Sequence, residues 1–150
     1  MLTEIISGLW IGNLNDAFNE DFYRDNLITV SINCTIDQGF LDLPKLKKIR
    51  IPLTDRLEPH RDIHLLKMNI DKILKFIHEK IEEENIFIYC YNGLTVSALI
   101  CALYMIKMGD ISKLLLNKWS ENVGVDIQKQ IEIYGKEFST NIKAPTPYKF

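Results

Sequence analysis

The run Asn85-Ile86-Phe87-Ile88-Tyr89-Cys90, followed by Tyr91-Asn92-Gly93 and then an apolar helical pattern from Val96 to Met108, constrains this chain more than any other stretch. Apolar side chains at successive positions leave no polar face, so the segment reads as a short central strand covered on both sides. A glycine-containing turn followed at once by a helix brings that helix back onto the sheet. The chain is therefore expected to be α/β, a sheet with helices packed on it. At 150 residues, 47% of them hydrophobic and 25% charged, it has the length of one domain and the apolar content for a sizeable core.

The remaining elements follow from period and punctuation. "EIISGLWIG" reads as two short strand pieces pivoting at Gly8, "NEDFYRDN" as a polar helix, and "LITVSINC" as a buried strand. "LKKIRIPL" is a further strand, ended by Pro52 and the loop "TDRLEPHRD". Leu66, Ile70, Ile73, Leu74, Ile77 and Ile81 recur at helical spacing, with Asp62 as the expected N-cap. Gly109 should stop the helix that begins near Val96. Asp110 should cap the next, over 111–122, and another follows over 126–138. One domain is expected over residues 1–140, with 141–150 as a solvated tail containing two prolines.

Charge excludes some functions. With 18 Lys+Arg against 20 Asp+Glu there is no basic footprint for nucleic acid or a membrane surface. The N-terminus carries Glu4 and lacks a basic flank before a long apolar core, so no signal peptide is expected. The apolar run from Val96 to Ile106 is about half of what a membrane span needs. Three cysteines without close spacing suggest neither a disulfide framework nor a zinc site. A reducing, cytoplasmic compartment is the expectation. Asn33-Cys34-Thr35 matches a glycosylation acceptor but falls in an apolar strand pattern, and is taken as coincidence. His60, His64 and His78 suggest no third metal ligand, and Cys34 and Cys101 read as packed thiols. Trp10 and Trp119 read as core or groove residues. No cofactor is implied.

A cysteine at the end of a central strand, followed by a glycine turn and a helix start, sits at the base of a concavity lined by backbone N–H groups. Such a concavity binds anions. N–H groups and a helix dipole around a thiol also favour the nucleophilic thiolate in general. Cys90 alone would ordinarily be a packing residue.

Tyr89-Cys90-Tyr91-Asn92-Gly93-Leu94-Thr95-Val96-Ser97 resembles the His-Cys-x-x-Gly-x-x-Arg-Ser/Thr signature of the dual-specificity branch of the cysteine-dependent protein tyrosine phosphatases. Cysteine, glycine and the closing serine match in register. The resemblance extends to "ISGLWIGNLNDA", "ITVSINCT", "IRIPLTD" and the closing helices. It implies that family's fold, α/β with a central mixed, mostly parallel sheet flanked by helices, and places Cys90 at the nucleophile position. Residues 91–97 would form the phosphate-binding loop, and Asp55 would stand where the family has its general acid, on a mobile loop.

The departures imply the opposite of activity. Val96 replaces the arginine whose bidentate contact strengthens as charge spreads over the phosphoryl oxygens. Tyr89 replaces the histidine that helps keep the thiolate available. Arg56 and Arg61, from the acid loop, are the candidate replacement cations. The resemblance therefore implies a pseudophosphatase that binds a protein or phosphoprotein. One rival is a low-activity phosphatase using Cys90 and Asp55. The other is an assembly role as a homodimer, as in small viral members of the family, whose genomes would suit the Ile-, Asn- and Lys-rich wording.

Overall fold

A computed structural model describes residues 2–93 and 95–108. Leu94 of the loop, the stop and cap at Gly109 and Asp110, the two closing helices, Trp119 and the tail lie outside those residues. A five-stranded sheet has the order β1-β2-β5-β3-β4, from Thr3–Ile6, Leu9–Gly12, Ile28–Asn33, Lys47–Arg50 and Asn85–Tyr89 in chain order. Only the hairpin pair β1 and β2 is antiparallel; β2 with β5, β5 with β3, and β3 with β4 run parallel. The hairpin pivots at Gly8, whose φ of +87° suits glycine.

β5 lies at the centre, and its alternation supplies both faces of the core. Ile86, Ile88 and Cys90 join one buried cluster, while Phe87 and Tyr89 join the other. On the first face pack α3, His64–Lys80, and α4, Val96–Lys107. Leu66, Ile70, Leu74 and Ile77 form the buried stripe of α3, at the spacing of one helical face. All residues of α4 from Val96 to Ile106 are buried, as a helix apolar all round requires. On the second face, α2, Glu20–Asp25, contributes Phe22 and Tyr23, which meet Phe87 edge-on at 5.0 Å and 5.8 Å.

Polar side chains set the element ends. Asn13 and Asp16 form a reciprocal capping box on the single turn α1, Leu14–Ala17, which the hydropathy pattern is too short to reveal. Asn19 caps α2 through the Phe22 N–H. Asp62 is not the cap of α3. It lies inside a π-helical turn, Pro59–Ile63, that Glu58 caps by accepting from the His60 and Arg61 N–H groups. The Asp62 carboxylate turns back toward the preceding loop instead. Asn33, of the glycosylation match, is buried and donates its amide to the Gln38 and Gly39 carbonyls.

Candidate functional site

The parallel strands β2, β5 and β3 end side by side, and Cys90 is the first residue beyond the middle one. Its N–H donates to the Gly12 carbonyl at 3.4 Å, and the Cys34 N–H donates to the Tyr89 carbonyl at 2.8 Å. The Cys90 side chain is almost wholly buried. Cys34, the first residue beyond β3, is its neighbour, and burial first, and Cys90 second, push that thiol well up.

From Cys90 the chain makes a tight turn and enters α4 at Val96. Gly93 has a φ of +72°, and a Cβ there would lie 2.7 Å from the Gly12 carbonyl carbon and 2.9 Å from the Asn13 nitrogen. A side chain at Gly93 is thus excluded twice, by dihedral and by contact. Ser97, on the first turn of α4, approaches the sulfur with its N–H at 3.5 Å and its hydroxyl at 3.3 Å. The Asn92 amide bridges the turn. Its oxygen accepts from the Cys90 S–H at 3.6 Å and the Thr95 N–H at 3.2 Å, while its nitrogen donates to the Thr95 hydroxyl at 3.1 Å. Cys90, Gly93, Ser97 and the start of α4 are therefore held close together at the end of the central strand.

No family model matches the chain. Human dual specificity protein phosphatase 14 is 27% identical over 161 aligned residues, covering 98% of this chain and 77% of that protein. Dual specificity protein phosphatase 22 of Xenopus laevis is 25% identical over 142 residues, or 90% of this chain and 65% of that protein. Among solved structures, DUSP15 matches with a TM-score of 0.72 at 21% identity, covering 99% of this chain and 98% of that one. Human DUSP28 matches at 0.74 with 18% identity, over 90% and 93%. The chain is similar to dual-specificity phosphatases in sequence and in fold.

The two departures from the resembled signature have definite surroundings. Val96 is 1% exposed and belongs to the apolar cluster beneath the loop, with Leu99 and Ile100 of its own helix. Tyr89 sits on the face of the sheet opposite Cys90, stacked on Phe87 at 5.3 Å, and its hydroxyl donates to the Gly39 carbonyl at 3.2 Å. Burial pushes its phenol up to about 12, so it brings no charge to the site.

The loop that carries Asp55 is anchored from behind. The Asp62 carboxylate accepts from the Thr54 N–H at 3.1 Å, the Thr54 hydroxyl, the Glu58 N–H at 2.8 Å and the Arg61 guanidinium. Burial alone would raise this carboxyl; the hydrogen bonds, led by that of Thr54, outweigh it and hold it below the ordinary carboxylate range. Asp55 is exposed at the loop's turn and makes no hydrogen bond or ion pair with a described residue, Arg56 included. Of the two candidate cations, Arg61 is bound to Asp62 and to the Pro52 carbonyl at 3.1 Å, and Arg56 is exposed.

One wall of the site was not legible as such. Tyr91, read as a loop residue, turns outward and donates to Asp37 at 2.6 Å, while the Ile36 N–H donates to the same phenol at 3.3 Å. That hydrogen bond is the main reason the Asp37 carboxyl lies below its ordinary range. The polar run "TIDQG" after β3 signals a turn, but nothing local tells that the turn meets a residue on the distant catalytic-type loop. Among the described residues no three His, Cys, Asp or Glu side chains cluster as metal ligands, and no helix is long and apolar enough to cross a membrane.

Proposed function

We propose that this dual-specificity phosphatase relative is a pseudophosphatase. It keeps the anion-binding loop and acts by binding a protein or phosphoprotein rather than by hydrolysis. The observation that carries the reading is Val96, 1% exposed in the apolar core at the position of the signature arginine. A valine supplies neither donor nor charge to the spreading negative charge of phosphoryl transfer. A comparable arginine contributes a factor of about 10³–10⁵ in rate. Tyr89, neutral and turned to the other face, removes the second support, and Arg61 is held by Asp62. What remains is the geometry around Cys90, Gly93 and Ser97, suited to a weakly held phosphoryl group on a partner.

One observation favours a residual enzyme: the Ser97 hydroxyl stands 3.3 Å from the Cys90 sulfur while Asp55 is unengaged on its loop. A single assay separates the two. The purified protein is expected to hydrolyse p-nitrophenyl phosphate no faster than its Cys90→Ser variant. Turnover well above that baseline and abolished by Cys90→Ser would replace the binding role with catalysis.

A further inference from the structure

β4, Lys47–Arg50, is the outer strand of the described sheet, paired on one side with β3. The Ile51 N–H donates inward to the Asn33 carbonyl at 2.9 Å, so by the two-residue period of a strand Ile49 and Lys47 also direct their backbone groups inward. Lys48 and Arg50 therefore present their N–H and C=O groups to the open edge, where they bond to no described residue. The pairing edge ends at Pro52, which has no N–H and whose carbonyl is taken by Arg61.

Beside this edge runs a groove of about 460 Å³, between β4 and the flank of α3, lined by Ile49, Ile51, Leu65, Ile73, Phe76 and Lys72 among others. Among the described residues no carboxylate lines it. Lys48 projects from the strand face opposite Ile49, and neither it nor Lys72 pairs with a described carboxylate. Lys47, by contrast, is neutralised by Glu84 at 2.8 Å.

We infer that this edge and groove dock an extended segment of a partner protein in which apolar and acidic residues alternate. Added as a sixth strand, the segment would pair its backbone with Lys48 and Arg50. Its apolar side chains would enter the groove under α3, and its acidic ones would lie beside Lys48 on the other face. Charge selects this occupant over a second copy of the chain, since two β4 edges brought together would set Lys48 against Lys48. The site is remote in chemistry from the Cys90 loop and does not depend on whether that loop hydrolyses anything.

The test uses the full 150-residue chain and a fluorescein-labelled peptide of about nine residues alternating Glu with Ile or Val, against a peptide of the same composition in blocks. Fluorescence anisotropy should show saturable binding of the alternating peptide, at least about tenfold tighter than the block peptide and weakened by salt. Lys48→Glu and the exposed-rim variant Lys72→Glu should each weaken it about tenfold with circular dichroism unchanged. Hydrogen exchange should show new protection at the Lys48 and Arg50 amides. Equal affinity for the two peptides, absence of binding at millimolar peptide, or protection that spares Lys48 and Arg50 would each overturn the inference. So would a dimer whose interface protects those same two amides.

Discussion

Val96 stands where the resembled signature carries arginine, and its surroundings limit how readily an arginine can be placed there. Val96 is packed among Cys90, Leu99 and Ile100 in the apolar cluster, so an arginine there must either reach the loop mouth or leave a charge in the core. Left inside and unpaired, that charge costs about 3–5 kcal/mol. Tyr89→His adds the loss of the hydrogen bond to Gly39 and of the stacking on Phe87. The double variant Val96→Arg with Tyr89→His is thus expected to melt lower than the parent while gaining a small p-nitrophenyl phosphatase activity. Adding Cys90→Ser should erase that gain. A folded double variant that binds phosphate without Cys90-dependent turnover would strike Asp55 from the functional residues. The residue types were legible in the sequence because the signature is local. The outward turn of Tyr91 toward Asp37 was not, since it depends on a partner far away in the chain.

The loop between Pro52 and Asp62 shows how one buried carboxylate organises a whole segment. Asp62 is 0% exposed and gathers donors from Thr54, Glu58 and Arg61, fastening both ends of the loop that carries Asp55. Asp62→Ala leaves those donors unsatisfied and is expected to destabilise the protein by about 2–4 kcal/mol at neutral pH. Because its folded pKa is depressed, the contribution of Asp62 is fully present above its unfolded value of about 3.9 and is lost as pH falls through the lower folded value. Urea titrations of parent and variant should therefore differ at pH 7 and draw together below about pH 4. A gap that persists unchanged into acid would mean that packing, not the ionised carboxylate, carries the effect. The sequence suggested Asp62 as an ordinary helix cap because an acid just before an apolar periodic run reads that way. A π-helical turn changes which way that side chain faces, and hydropathy carries no trace of it.

Both layers of the described molecule hang on one strand. Phe87 meets Phe22 and Tyr23 on one face of β5, and Ile88 joins the cluster under α3 and α4 on the other. Phe87→Ala and Ile88→Ala are each expected to cost about 3–4 kcal/mol and to shift the same single urea transition, followed by far-UV circular dichroism. Two separated transitions, or a shift from only one of the variants, would mean that the layers unfold independently. This architecture was largely legible, since a continuously apolar strand declares two covered faces and the α3 stripe declares its own. What escaped were features made by strands meeting: the open β4 edge, and the seam where Gly93 lies on Gly12 and Asn13. At that seam a Cβ on Gly12 would in turn lie 2.7 Å from the Asp16 carboxylate and 3.0 Å from the Phe87 ring. The turn after Cys90 thus lies directly on the end of β2 because two side chains are absent, one from each end of the described chain. Arginine, histidine or even cysteine can change at the signature positions without disturbing that contact. A side chain arriving at Gly93 would push the loop off β2, and one at Gly12 would displace Asp16 and Phe87, so the two positions record whether a lineage still keeps the loop's shape, whatever its chemistry.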